Sequence, residues 1–168
     1  MRGYFSKAAK FVTLPVGSRI LGGKAMITAK RPGWFIILVA VLILWGLAGC
    51  AAFYVHLEYG PGIDPAATDW DRAYYAALPK WFTWDYAIAV WAGLFGSIAL
   101  LARSRLAGPL YLLSLIAVLV QFGYVFLATG LLAHKGAAAT VPFPAFIIAM
   151  AVLQLWLAGY ARDRGWVR

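Results

Sequence analysis

The run WFIILVAVLILWGLAGCAAFYV, residues 34–55, contains no charged side chain. A hydrocarbon core about 30 Å thick is crossed by roughly 20 apolar residues of helix, so this run is long enough to span a membrane. Three more runs share its character, at about residues 86–102, 109–133 and 143–161. Each is continuously apolar, whereas a β-barrel strand alternates apolar and polar residues over a shorter stretch. The chain is 64% hydrophobic, 16% aromatic and 12% charged, against about 25% charged and about 45–50% apolar residues in a soluble domain. A soluble fold of 168 residues could not hide that much apolar surface. The expected fold is therefore all-α: a transmembrane four-helix bundle over residues 34–168, preceded by a basic arm at 1–33. The single cysteine, Cys50, excludes a disulfide scaffold.

The net charge of +9 is unevenly placed. Arg2, Lys7, Lys10, Arg19, Lys24, Lys30 and Arg31 precede the first span with no acid among them. Arg103 and Arg105 fall between the second and third spans, and Arg162, Arg164 and Arg168 follow the fourth against Asp163. The other flanks carry Glu58, Asp64, Asp69, Asp71 and Asp85 against Arg72, Lys80 and Lys135. Basic flanks stay in the cytoplasm, so both termini are expected there, in a bacterial inner membrane. The excess is then a topology and lipid-surface signal, and no nucleic-acid partner is expected.

Three segments need separate readings. Leu47-Ala48-Gly49-Cys50 matches a lipobox, but the apolar run continues to Val55, so Cys50 reads as a small packing residue. In the arm, Phe5, Ala8, Ala9 and Val12 share a helical face apart from Lys7 and Lys10, as in helices that lie on an anionic surface. In the first long loop Gly60-Pro61-Gly62 turns the chain, and Thr68 or Asp69 caps a short helix through Leu78, ended by Pro79. That helix and its flank are rich in rings: Trp70, Tyr74, Tyr75, Trp81, Phe82 and Trp84. They suit a membrane headgroup layer.

Chemistry is sparse. Asp85 reads as the cap of the second span, where a carboxylate satisfies free N–H groups. Gln121 and Gln154 are the deepest strongly polar side chains and read as interhelical hydrogen-bonding groups. His56 and His134 fall near one face, too close to the span ends for a bundle haem site. Together with Glu58 they lack metal-ligand spacing. No catalytic residue, metal or cofactor is expected; haem, quinone or lipid contact stands as a weaker alternative. Ala89, Gly93 and Ser97, with Ala92 and Gly96 beside them, Ala48 and Ala52, and Ala145 and Ala149 carry small side chains at the spacing that lets helices approach closely. A tight bundle without a cavity follows.

Several stretches form a recognisable set: Leu44-Trp45 with Gly49 and Phe53-Tyr54, and Pro79-Lys80-Trp81. The set continues with the run 87–93, then Gly96-Ser97, Leu101-Ala102-Arg103, Ser114-Leu115, Val120-Gln121 and Arg164-Gly165-Trp166. Together they resemble a family of small four-span bacterial inner-membrane proteins, some of them labelled sugar transporters. The resemblance covers Trp34 to Arg168; it implies the four-span fold and brings no site residues. The leading expectation is a non-catalytic accessory or structural subunit of a larger inner-membrane assembly, such as an energy-converting one. Phe5, Lys7, Lys10, Trp70, Trp81, Gly93 and Ser97 would be its contacts with lipid and partner subunits, since aromatics dominate interface energetics. The alternative is a homo-oligomeric permease for a neutral small molecule such as a sugar. Gln121, Gln154 and Tyr124 would line its path, beside a helix start broken by Pro142 and Pro144.

Overall fold

The computed structural model describes residues 30–167. The predicted arm helix, with Phe5, Lys7 and Lys10, lies outside the described residues. Seven helices follow in order: α1 (Gly33–Tyr59), α2 (Asp69–Ala77), α3 (Lys80–Leu101), α4 (Ala107–Ala128), α5 (Leu131–Lys135), α6 (Ala137–Thr140) and α7 (Pro142–Asp163). No strand occurs among the described residues. Four of the helices, α1, α3, α4 and α7, are long and apolar enough to cross a membrane, which makes this a multi-pass membrane protein.

Local chemistry sets the ends. α1 begins after Pro32 and runs past Val55 to Tyr59, where Gly60 adopts φ +49°. A Cβ on Gly60 would stand 3.0 Å from the Tyr75 ring, so backbone and space both demand glycine there. α2 carries a capping box. The Thr68 hydroxyl accepts from the Asp71 amide, and the Asp71 carboxylate accepts from the Thr68 amide at 2.9 Å. α3 begins at Lys80 behind Pro79 rather than near Tyr86. Asp85 therefore sits in its second turn and caps nothing, a correction to the expected N-terminal role. The third span stops at Ala128 instead of Ala133, because the Thr129 hydroxyl turns back to the Val125 carbonyl and α5 starts afresh at Leu131.

α3 and α7 finish alike. Arg103 (φ 64°) and Gly165 (φ 69°) stand just past the two helices in the left-handed region. Around each, two amides bond back: Arg103 to Leu100 and Ser104 to Ala99, Gly165 to Arg162 and Trp166 to Ala161. This is the reverse-turn stop in which the next two N–H groups satisfy orphan carbonyls.

α1 packs on α3, α3 on α4, and α4 on α7. Close approach is achieved where glycine faces bulk. A Cβ on Gly46 would lie 2.9 Å from the Leu94 Cα, and one on Gly96 would lie 2.7 Å from the Tyr111 ring. The small faces of α3 are buried as expected, but Ala48, Ala52, Ala145 and Ala149 are exposed. The α1 seam runs through Gly46 and Gly49, and the α7 seam through Ala151, Ala158 and Ala161. Buried apolar side chains fill the half of the bundle near the termini: Phe35, Val39, Leu42, Leu100, Tyr111 and Leu157 at its centre, with Trp166 and Val167 folded against them.

Candidate functional site: a cavity in the other half of the bundle

Beyond that packed half the helices enclose a cavity of about 420 Å³. This overturns the expectation of a bundle without one. Its wall is built from Trp45, Gly46, Ala52 and His56 on α1, and Phe82, Tyr86, Ala89, Val90 and Gly93 on α3. α4 adds Ser114, Val118, Gln121 and Phe122, and α7 adds Phe143, Ile147, Ala151 and Gln154. Tyr74, Tyr75 and Leu78, from α2 and its end, close the far side. Volumes of about 300–1,000 Å³ and mostly apolar walls with a few placed polar groups are the mark of small-molecule sites.

The floor follows from the crossings already described. Gly93 leaves room for the Ser114 hydroxyl, 3.2 Å from where its Cβ would be, and for the Gln154 carbonyl oxygen at 4.0 Å. Ser114 donates to the Ala89 carbonyl at 2.6 Å. Just beneath, Tyr111 donates to Ser97 at 2.9 Å, and Ser97 donates to the Gly93 carbonyl at 3.0 Å. Tyr111 and Ser97 have no exposed surface, so this chain seals the bottom.

Gln121 and Gln154 are 8% and 4% exposed and line the cavity, yet neither amide hydrogen-bonds to another described residue. Their amides are thus left to face the cavity, and the interhelical hydrogen bonds expected of the two are absent among the described residues. Seven residues separate Ser114 from Gln121 along α4, about 10 Å of helix. Gln154 and Ser114 thus lie together at the floor beside Gly93, and Gln121 lies nearer the mouth.

α2 is clamped over the mouth. Its Tyr75 hydroxyl donates to the His56 carbonyl at 2.5 Å, and the His56 ring lies between Tyr75 and Tyr86. At its other end the Trp70 ring is stacked on His134 with centroids 4.0 Å apart, and Asp71 pairs with Lys135. Lys135 and the Thr68 hydrogen bonds hold the Asp71 carboxyl well below the usual carboxylate range. His56 and His134 thus have different aromatic partners, and no group of three potential metal ligands occurs among the described residues.

The remaining predicted residues divide. Gly93 and Ser97, expected at a partner surface, face α4 inside the chain. Trp70 is half-buried against His134 and Tyr74. Trp81 is exposed and meets Tyr124 edge-on, which takes Tyr124 out of the cavity wall. Trp45, Tyr86 and Tyr111 were not singled out by sequence: an aromatic in an apolar span signals nothing until its neighbours are known.

Arg31 ends the basic side of the molecule, donating to the Leu100 and Leu101 carbonyls at 3.2 and 2.9 Å. Burial and the nearby Arg103 lower its pKa from the ordinary arginine value. No family model, curated protein or solved structure matches this chain.

Proposed function

We propose that this protein binds an uncharged small molecule within the membrane, in the cavity between its four spans. The observation that carries the reading is the pair of amides, Gln121 and Gln154, that face an aromatic-walled cavity of ligand size without a hydrogen-bond partner among the described residues. No Asp, Glu, Lys or Arg among the described residues lines it, so a charged ligand would be desolvated there without a counter-charge. Of the two expectations from sequence, this favours the neutral-molecule one over the accessory subunit. One chain encloses the cavity, so no homo-oligomer is needed to build it. The floor of Tyr111 and Ser97 makes this a one-sided site, as in one state of a permease or in a binding protein. The basic residues Arg31, Arg103, Arg105, Arg162 and Arg164 support a reading in which the sealed end faces the cytoplasm of a bacterial inner membrane and the mouth under α2 the opposite side. α2, with its rings, then lies in the outer headgroup layer. No catalytic role is assigned.

Native mass spectrometry after gentle extraction tests this. The wild type is expected to retain a neutral small-molecule adduct, and the double variant Gln121→Leu/Gln154→Leu to lose it. A bound ligand at 100 times its Kd should also raise stability by about 2.7 kcal/mol. A bare wild-type chain, indifferent in thermal shift to neutral polyols, sugars, quinols and monoglycerides, would refute the reading. Stoichiometric recovery of a large enzyme with a bare chain would instead restore the accessory-subunit expectation.

A further inference from the structure

The cavity wall is not continuous. Around it the packed pairs are α1 with α3, α3 with α4, and α4 with α7. α7 and α1 meet through side chains at Trp34 and Tyr160 near the sealed end, and at Trp45 and Phe146 further up. On the mouth side of that second contact, Ala52 on α1 and Phe143 on α7 both line the cavity, and both are exposed, Phe143 by 67%. A residue that borders the cavity and the outer surface at once marks the edge of an opening. Here the opening lies between two membrane spans, so it faces lipid.

From this window we infer that the ligand is a neutral amphiphile taken from the bilayer, with its polar head reaching from Gln154 at the floor toward Gln121 and its chain leaving between α1 and α7. The inference rests on the cavity being a binding site. Each amide offers both a donor and an acceptor, which suits a head bearing hydroxyl or carbonyl groups. A phosphate head would find no cation among the described residues of the wall, so phospholipid is rejected on charge while its neutral relatives are admitted. An exposed path lined by Ala52 and Phe143 asks no apolar chain to enter water.

The probe is a 1-monoacylglycerol carrying a diazirine midway along its chain, photolysed with the protein in phosphatidylcholine nanodiscs. Labels are expected to concentrate on α1 near Ala52 and on α7 near Phe143. Excess 1-decanoylglycerol should lower them at least fivefold, free glycerol should not, and Ala52→Trp should lower them at least tenfold. Ala52 is exposed, so that variant keeps its fold. Competed labelling that ignores Ala52→Trp overturns the window while leaving the cavity as a site. Labelling spread evenly over the lipid-facing residues, uncompeted and unchanged in Gln121→Leu/Gln154→Leu, overturns both.

Discussion

Arg103 and Gly165 perform one task with unequal side chains. Both hold the left-handed conformation that lets α3 and α7 stop. For glycine this is free, whereas a residue with a Cβ loses roughly 1–2 kcal/mol there. Arg103→Gly should therefore stabilise the protein by about 0.5–1 kcal/mol, helped by removing a like charge beside Arg31. Gly165→Ala should destabilise it by about 1 kcal/mol. Thermal unfolding in detergent compares the two, and equal signs would refute the account. Neither stop was legible as a pair in the sequence, because Arg103 reads there only as a topology charge. Gln121 and Gln154 were legible as the deepest polar groups, since hydropathy alone exposes an amide in an apolar run. That they would face a space rather than each other was not.

The elements show where span reading succeeds and where it fails. A hydropathy run ends when polar residues appear, but a helix ends when its hydrogen bonds do. The segment Lys80–Asp85 was therefore excluded from the second span although α3 already includes it. The Thr68 cap and the stop at Pro79 were legible because they are local chemistry, independent of packing. α2 also carries a pH signature. The Asp71 carboxyl is held below its unfolded value of about 3.9, so its contribution is present above that pH and fades as the pH falls through the folded value. At neutral pH α2 should be clamped, and acidification below about pH 4 should loosen it progressively. Asp71→Asn should release it at every pH, and Thr68→Ala should cost it about 1 kcal/mol. Hydrogen exchange over residues 69–77 reads this out; protection unchanged at pH 3 in the wild type would contradict it.

At the scale of the molecule the bundle divides across its length, one half filled by side chains and the other enclosing space. The number and order of the spans were legible from sequence because each is a property of one segment. The cavity was not, because it depends on where helices cross. Gly96 against Tyr111 pinches the bundle in its packed half and Gly46 against Leu94 just above it, while the cavity opens beyond them. The orientation is tested in a Cys50→Ala background. Leu106→Cys, at the exposed turn between α3 and α4, should react with an impermeant thiol reagent only from the cytoplasmic side. Ala66→Cys should react only from the other; the reverse pattern would invert the molecule.

Trp166 adds a consequence in the order of synthesis. Its ring stands 4.8 Å from Phe35 and 6.0 Å from Trp34, joining the start of the first span to the residues after the last. Until Trp166 has left the ribosome and the translocon, α1 is held chiefly along its α3 side, and the nascent bundle is an arc with two free flanks. The α7–α1 gap is thus the last seam of the molecule to form near the termini, and in its upper half it stays unsewn. A newly made chain therefore gains its α1–α7 contacts, Trp34 with Tyr160, Trp45 with Phe146 and finally Phe35 with Trp166, only once its last span is in place.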